Sequence, residues 1–144
     1  MDISAQHLWS VHVGCIDDRG IQPIRAWAIE KFGVQHVDPV TEAGMDGFLT
    51  ASMPDDEEAK KQREVELERI KKNLFVSLEH HKSYPVIVSG HYGCAGNPVS
   101  DDEHRQCIQH ACELVRSWGV PENVEVLGVF VNSNWQVEEI TPET

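Results

Sequence analysis

Apolar positions along this chain fall into short continuous runs, separated by stretches in which apolar residues recur at helical spacing. Residues 8–13 form a mostly apolar, β-prone run that ends at Gly14, and residues 85–89 (PVIVS) are almost continuously apolar. A nearly continuous apolar run is typical of a strand that is covered on both faces. The second run is therefore expected at the centre of a sheet, and further strands are predicted at residues 34–40, 124–131 and 135–138.

Three segments have the apolar spacing of amphipathic helices. A short helix is predicted to begin near Pro23 and to stop at Gly33, since proline suits a first helical turn and glycine an end. A long helix is predicted over residues 55–82, and another, opened by a capping-box pattern, over residues 100–118. Residues 41–54 lack clear periodicity and are predicted to form a long loop.

The alternation of strands and helices predicts an α/β fold, in which a central, mostly parallel β-sheet is flanked by helices. With 144 residues the chain has the length of one domain, so residues 1–144 are expected to form a single unit. No internal repeat or low-complexity linker interrupts the pattern.

Charge narrows the range of partners. The chain carries 24 acidic residues against 12 basic ones, a formal net charge of -12, which repels nucleic-acid backbones and anionic membrane surfaces. No apolar stretch approaches the roughly 18 residues of a spanning helix, and no leader pattern is visible. We therefore expect a cytoplasmic protein that acts on a small molecule and has neither nucleic acid nor membrane as a partner.

Cysteine usage fits that compartment. In a cytoplasmic chain of this size, cysteines are more often metal ligands or reduced core thiols than members of a disulfide framework. The four cysteines are Cys15, Cys94, Cys107 and Cys112.

Two short motifs carry the chemistry of the chain. Cys15-Ile-Asp17-Asp-Arg19 directly follows the first predicted strand, and His91-Tyr-Gly-Cys94 follows the apolar PVIVSG strand. Ligands of parallel α/β sheets gather at the carboxyl ends of the strands, so both motifs meet if these strands are neighbours. Two thiolates and an imidazole make the three-ligand set of a catalytic zinc, whose fourth position holds water. One zinc ion per chain is predicted.

Plainer interpretations exist for each residue alone. Free cysteines are commonly buried core residues, and a single histidine is often hydrogen-bonded in a core. Asp17 and Arg19 alone could form a surface ion pair worth under about 1 kcal/mol. The combination favours the metal interpretation, because both cysteines lie just beyond strand ends and the charged pair follows one of them.

The two motifs together resemble the β-class carbonic anhydrases, which carry Cys-x-Asp-x-Arg after the first core strand and His-x-x-Cys after a later one. The resemblance extends over about residues 11–131 and implies a zinc site made by Cys15, His91 and Cys94. It also implies that Asp17, paired with Arg19, accepts a hydrogen bond from the zinc-bound water, and that the active site lies at a dimer interface. A homodimer or higher homo-oligomer is expected.

The expected reaction is the reversible hydration of carbon dioxide to bicarbonate, which makes the chain a zinc lyase (carbonate dehydratase). Zinc lowers the pKa of bound water from about 15.7 toward 7, and the resulting zinc-bound hydroxide attacks the neutral substrate. Two alternatives stay open: hydrolysis of a related heterocumulene such as carbonyl sulfide or carbon disulfide, and a zinc- or bicarbonate-binding module without turnover. The family pattern is altered at Asp18, Glu42 and Ala95, and the extra acids favour the non-catalytic alternative.

Two further expectations depend on residues outside these motifs. Large apolar side chains at Trp9, Trp27, Phe32 and Phe130 also favour self-association, because one small sheet does not easily cover them. The third predicted helix carries His104, Cys107, His110 and Cys112, so a second metal site is an open alternative. The competing interpretation places Cys107 on the buried side of that helix and the histidines on its exposed edges.

Overall fold

The computed structural model describes residues 7–141, which form five strands and four helices within that range. The strands are β1 (Trp9–Gly14), β2 (His36–Thr41), β3 (Val86–His91), β4 (Val126–Val131) and β5 (Val137–Ile140). The helices are α1 (Asp18–Phe32), α2 (Met45–Thr50), α3 (Glu57–His80) and α4 (Asp101–Ser117). The predicted α/β class with a mostly parallel sheet flanked by helices is confirmed.

The five strands form one sheet in the order β2-β1-β3-β4-β5. Neighbouring strands run parallel, except that β5 runs antiparallel to β4. β3 is the middle strand and every one of its residues is buried, as its continuous apolar run predicts. β1 and β3 are adjacent, with Val13 in register with Val88, so their carboxyl ends lie side by side.

Helices cover both faces of the sheet. One face packs on α2, α3 and α4, around core residues that include Met45, Leu74, Ile108 and Phe130. The other face packs on α1 through Ile24 and Ala28, beside Ile87, Val129 and Val131. This second cluster is smaller, and α1 brings the start of its helix to the carboxyl end of β1.

The start of α1 and the presence of α2 differ from the sequence predictions. α1 begins at Asp18, about one turn before Pro23, because the Asp17 side chain caps the helix by accepting the Arg19 backbone N–H. The predicted loop over residues 41–54 contains the short helix α2, which follows Gly44 in left-handed backbone conformation. Pro39 lies inside β2, which is possible because that strand lies at the edge of the sheet, where a residue without an N–H is tolerated.

The apolar surface also differs from the expectation. Phe130 is fully buried and Trp9, Trp27 and Phe32 are half-buried, so these side chains do not supply the exposed area that the sequence argument for self-association assumed. Among residues 7–141, the most exposed large apolar side chain is Ile16, at 60%, and Tyr92 is 45% exposed. Over residues 7–141, no helix combines the length and the apolar character needed to cross a membrane.

Candidate metal centre

Cys15, His91 and Cys94 come together at the carboxyl ends of β1 and β3. Cys15 is the first residue after β1, His91 is the last residue of β3, and Cys94 lies in the loop that follows. Their potential ligand atoms all lie within 4.8 Å of one another, and the two Sγ atoms are 3.8 Å apart. The adjacency of the two parallel strands thus joins the two sequence motifs, as expected.

His91 presents Nε2 to this cluster through its hydrogen bonding. Its Nδ1 lies 2.9 Å from the Tyr92 carbonyl oxygen, and since a carbonyl can only accept, Nδ1 carries the proton. In the neutral ring, Nε2 then keeps a free lone pair, which is the state that binds a metal. Nε2 is buried and has no hydrogen-bond partner. The structure therefore leaves an unpartnered acceptor beside two thiols.

The two cysteines are buried and do not form a disulfide bond with each other. Cys15 is 8% exposed and Cys94 is 3% exposed. Their Sγ separation of 3.8 Å is far longer than the S–S bond of about 2.05 Å. Burial raises the pKa of the Cys94 thiol, and the nearby Cys15 raises it further. Both thiols must lose protons when they bind a cation, so metal uptake here releases protons.

Backbone N–H groups approach both sulfur atoms. The Gly44 N–H donates to Cys15 Sγ at 3.4 Å. The backbone N–H groups of Asn97 and Gly96 lower the pKa of the Cys94 thiol, in opposition to burial. These donors come from two loops that are more than fifty residues apart in sequence.

These residues fit a zinc ion. Two thiol sulfurs and an imidazole nitrogen are donors that a borderline-soft tetrahedral ion prefers, and magnesium and calcium prefer oxygen. The unpartnered, buried His91 Nε2 is the observation that a bound cation would explain. Three protein donors also leave a coordination position for water.

Asp17 and Arg19 lie at the edge of the cluster and form a bidentate pair. Arg19 Nε and Nη2 donate to the Asp17 carboxylate at 3.1 and 2.7 Å, and the Arg19 backbone N–H donates at 3.0 Å. The hydrogen bond from Arg19 lowers the pKa of Asp17 to about 2. Asp17 Oδ2 also lies 3.9 Å from His91 Nε2. The pair thus keeps an ionised carboxylate next to the three potential ligands.

Trp135 completes the outer side of the site, and sequence reasoning missed it. Its indole lies 4.7 Å below the Arg19 guanidinium carbon, and its ring centroid is 6.4 Å from that of His91. The residue was predicted to begin the last strand, but that strand begins at Val137 and Trp135 lies in the preceding turn with φ of 57°. A non-glycine residue in this left-handed region is under backbone strain. No sequence pattern signals this conformation for a tryptophan.

A shallow cleft opens beside these residues. It has a volume of about 450 Å³ and is lined by Asp18, Arg19, Gln22, Pro23 and Trp135. The Asp18 carboxylate accepts a hydrogen bond from Gln22 at 2.6 Å. Another cavity, of about 580 Å³, lies between α4 and β4, but none of the chemistry-bearing residues of the two motifs lines it.

The second metal site, left open from the sequence, is not formed. Within residues 7–141, the cluster of Cys15, His91 and Cys94 is the one group of three metal-binding side chains with suitable spacing. His104 was expected on an exposed edge of its helix, and this prediction is wrong. Its side chain is fully buried, and the hydrogen bond between its Nδ1 and Asp46 at 2.6 Å supplies the polar partner that a buried imidazole needs. Cys107 is half-buried, and His110 is exposed as expected.

Comparisons with known proteins agree with the fold and the motifs. A family model described as "Putative carbonic anhydrase" matches residues 5–141. A search of curated proteins finds no match.

Three solved structures share the fold at low sequence identity. The β-carbonic anhydrase isoform I of Trichomonas vaginalis has a TM-score of 0.58 at 16% identity, over 93% of this chain and 83% of that one. The β-carbonic anhydrase CafA of Aspergillus fumigatus has a TM-score of 0.54 at 10% identity, over 99% of this chain and 80% of that one. A tetrameric β-carbonic anhydrase of Sordaria macrospora has a TM-score of 0.54 at 13% identity, over 96% and 83%.

Proposed function

Because the chain belongs to this carbonic anhydrase family, we propose that it is a zinc-dependent lyase that reversibly hydrates carbon dioxide to bicarbonate. The observation that carries the proposal is the cluster of Cys15, His91 and Cys94, with an unpartnered His91 Nε2 next to the ion-paired Asp17. Family membership supports carbon dioxide hydration, and the donor set supports zinc.

Cys15, His91 and Cys94 are the proposed ligands of one zinc ion per chain. When bound, zinc supplies Lewis acidity that lowers the pKa of a water molecule from about 15.7 toward 7, which provides a nucleophile at neutral pH. Two thiolates give the site a neutral formal charge and make it less acidic than a three-histidine site. A nearby hydrogen-bond acceptor is therefore useful in this chain.

Asp17 is the proposed acceptor. With a pKa of about 2 it is ionised at neutral pH, so it can accept a hydrogen bond but cannot donate one. Arg19 occupies both carboxylate oxygens in a bidentate pair, which orients Asp17 and holds it beside the ligands. Arg19 is thus a positioning residue for Asp17. Trp135 contacts the guanidinium from the other side.

The rim of the site suits a neutral, weakly polar substrate. Ile16 and Tyr92 lie within the two motifs and are exposed at 60% and 45%. The same apolar rim supports a homo-oligomer, because a second copy could cover side chains that a monomer leaves in water. The β-carbonic anhydrase of Sordaria macrospora is tetrameric. We propose a homodimer or a higher homo-oligomer for this chain.

The decisive experiment measures zinc and turnover on the same samples. Zinc-reconstituted protein should contain one zinc per chain and accelerate carbon dioxide hydration in stopped-flow assays from pH 7 to 9. Cys94→Ser should lose zinc and activity, and Cys107→Ser, which changes a cysteine outside the cluster, should keep both.

Other results would redirect the assignment. Zinc-loaded protein without activity in this pH range would refute the enzyme and support a zinc- or bicarbonate-binding module. Parallel assays with carbonyl sulfide and carbon disulfide test whether another heterocumulene is the better substrate. Protein that binds no zinc after reconstitution would refute the proposal at its base.

A further inference from the structure

A buried polar cluster lies in the core close to the proposed metal centre. Asp46 accepts a hydrogen bond from His104 Nδ1 at 2.6 Å through Oδ2, and from Asn97 Nδ2 at 3.1 Å through Oδ1. The Gly47 backbone N–H donates to the same Oδ1 at 2.9 Å. Asp46 is 1% exposed and His104 is fully buried. We call Asp46, Asn97 and His104 the inner cluster.

The surrounding backbone is shaped to hold the inner cluster. A Cβ atom at Gly90 of β3 would lie 2.5 Å from Asp46 Oδ2, and one at Gly47 would lie 2.4 Å from the Asn97 side chain. Contacts this short exclude any larger residue unless the cluster moves. Burying a carboxylate and an imidazole costs free energy that apolar residues of similar volume would avoid. The cluster therefore calls for an explanation other than stability alone.

The inner cluster joins the loop that donates to Cys15 and the loop that carries Cys94. Gly44, two residues before Asp46, donates to Cys15 Sγ. Asn97, three residues after Cys94 in the same loop, donates its side chain to Asp46. The Gly44 and Gly96 backbones pack so closely that a Cβ at Gly44 would lie 2.4 Å from the Gly96 carbonyl group. One carboxylate thus ties the loop that donates to Cys15 to the loop that carries Cys94.

We propose that Asp46 is a positioning residue, which, with Asn97 and His104, holds the Gly44 N–H against Cys15 and fixes the loop that carries Cys94, and thereby sets the geometry of the metal centre. The inference rests on the proposed zinc site. Groups that hold metal ligands in place orient them, so a fixed loop arrangement keeps both sulfur atoms in the geometry that binds the metal, and losing it lowers metal affinity. Groups that orient metal ligands in this way typically change metal affinity by about 10- to 100-fold when they are removed.

The test compares Asp46→Asn with wild type and with a matched control. Asparagine keeps the shape of the side chain but places an NH₂ group against the donors of His104 or Asn97. The control is Asp38→Asn: Asp38 also bonds a histidine, His81, at 2.6 Å, but it lies on β2 in register with Val11, about 13 Å along the strand from Cys15. Asn97→Ala is a second variant, which removes the side-chain amide and keeps the backbone N–H.

Two readouts follow the metal centre itself. Zinc affinity is measured by chelator competition, and the Co²⁺-substituted protein is examined for its sulfur-to-cobalt charge-transfer band, which reports electron donation by the thiolates. We expect Asp46→Asn and Asn97→Ala to weaken zinc binding by at least about tenfold and to shift the band, with Asp38→Asn unchanged in both. Thermal unfolding of each variant shows that it is folded.

The possible outcomes separate the two proposals. If both variants bind zinc and absorb as wild type does, the positioning role is refuted and the zinc site stands. The same holds if Asp38→Asn changes both readouts equally, since the effect would then follow general stability. Wild-type protein that binds neither metal refutes both proposals. If Asp46→Asn does not fold, Asn97→Ala alone decides, since Asp46 keeps two of its three hydrogen bonds there.

Discussion

Two carboxylates flank the proposed metal centre, and their surroundings are opposite. Asp17, on the outer side, pairs with an Arg19 side chain that is 60% exposed, and its own side chain is 23% exposed. Asp46, on the inner side, pairs with His104, and their side chains are 2% and 0% exposed. Both pairs have short contacts, at 2.7 and 2.6 Å. Distance alone therefore does not distinguish them, and burial does.

The difference separates chemistry from positioning. A carboxylate at the solvent edge can exchange partners with water at low cost, because its charge stays hydrated. A carboxylate in the core cannot lose a partner without leaving a buried charge uncompensated. Asp17 is therefore suited to a role in which hydrogen bonds change during a reaction, and Asp46 to one in which they stay constant.

The largest expected effect is on stability at the inner side. Asp46→Ala leaves buried donors without an acceptor and should lower the free energy of unfolding by about 3–5 kcal/mol. Asp38→Ala, which breaks a partly exposed aspartate–histidine pair and a hydrogen bond from Ser77, should cost about 1–2 kcal/mol. Urea unfolding measures the free energy of unfolding of each variant, and equal m-values show that the two losses are comparable. Similar losses in the two variants would remove the contrast between buried and exposed pairs.

The next effect is on turnover at the outer side. Arg19→Ala should lower kcat/KM for carbon dioxide by at least about tenfold, or 1.4 kcal/mol, because Asp17 is no longer held. Zinc content should stay near wild type, since Arg19 supplies no ligand. Arg25→Ala, at an exposed position on the same helix, is the control and should change neither. Unchanged activity in Arg19→Ala would refute the positioning role of Arg19, while the proposal that the chain is an enzyme would stand.

Trp135 should have a smaller effect. A cation–π contact at an exposed site contributes about 0.5–1 kcal/mol, so Trp135→Leu is expected to lower turnover about two- to fivefold. Leucine keeps the backbone strain of a side chain at positive φ, so the loss reports the indole alone. Trp135→Phe restores an aromatic face and should recover part of the activity in the same stopped-flow assay. Equal activity in the leucine and phenylalanine variants would contradict the cation–π explanation.

The smallest effect is the acid dependence of Asp17. Its pKa is lowered from 3.8 to about 2, so the stability that its ionised form contributes is present above about pH 4 and is lost as the pH falls toward 2. Asp17→Asn keeps an N-cap side chain but has no charge. The difference in unfolding free energy between wild type and this variant should stay constant from pH 7 to 5 and shrink below pH 4. A difference that does not change with pH would contradict this account.

The sequence predicted the parts of the molecule that follow from periodicity and from strand ends. The apolar run of β3 indicated a central strand, and the motifs after β1 and β3 indicated that Cys15, His91 and Cys94 meet. Both inferences depend only on the geometry of a parallel sheet. Alternation of strands and helices also sufficed for the fold class.

The rest depends on contacts between distant segments. The helix α2 has few residues and no periodicity, and it forms where Asp46 meets Asn97 and His104 from elsewhere in the chain. The burial of His104 could not be predicted, because its partner lies 58 residues away. Trp135 adopts a backbone conformation that the hairpin imposes against the preference of its own residue type.

The proposed ligands are far apart along the chain, since Cys15 and Cys94 are separated by 79 positions. Four elements after β1, namely α1, β2, α2 and α3, precede the strand that carries His91. Until β1 and β3 pair, each segment offers at most two of the three donors, and loop closure over this distance is slow compared with local helix formation. High-affinity metal uptake should therefore be a late event in folding, and a metal added to refolding protein would report completion of the sheet.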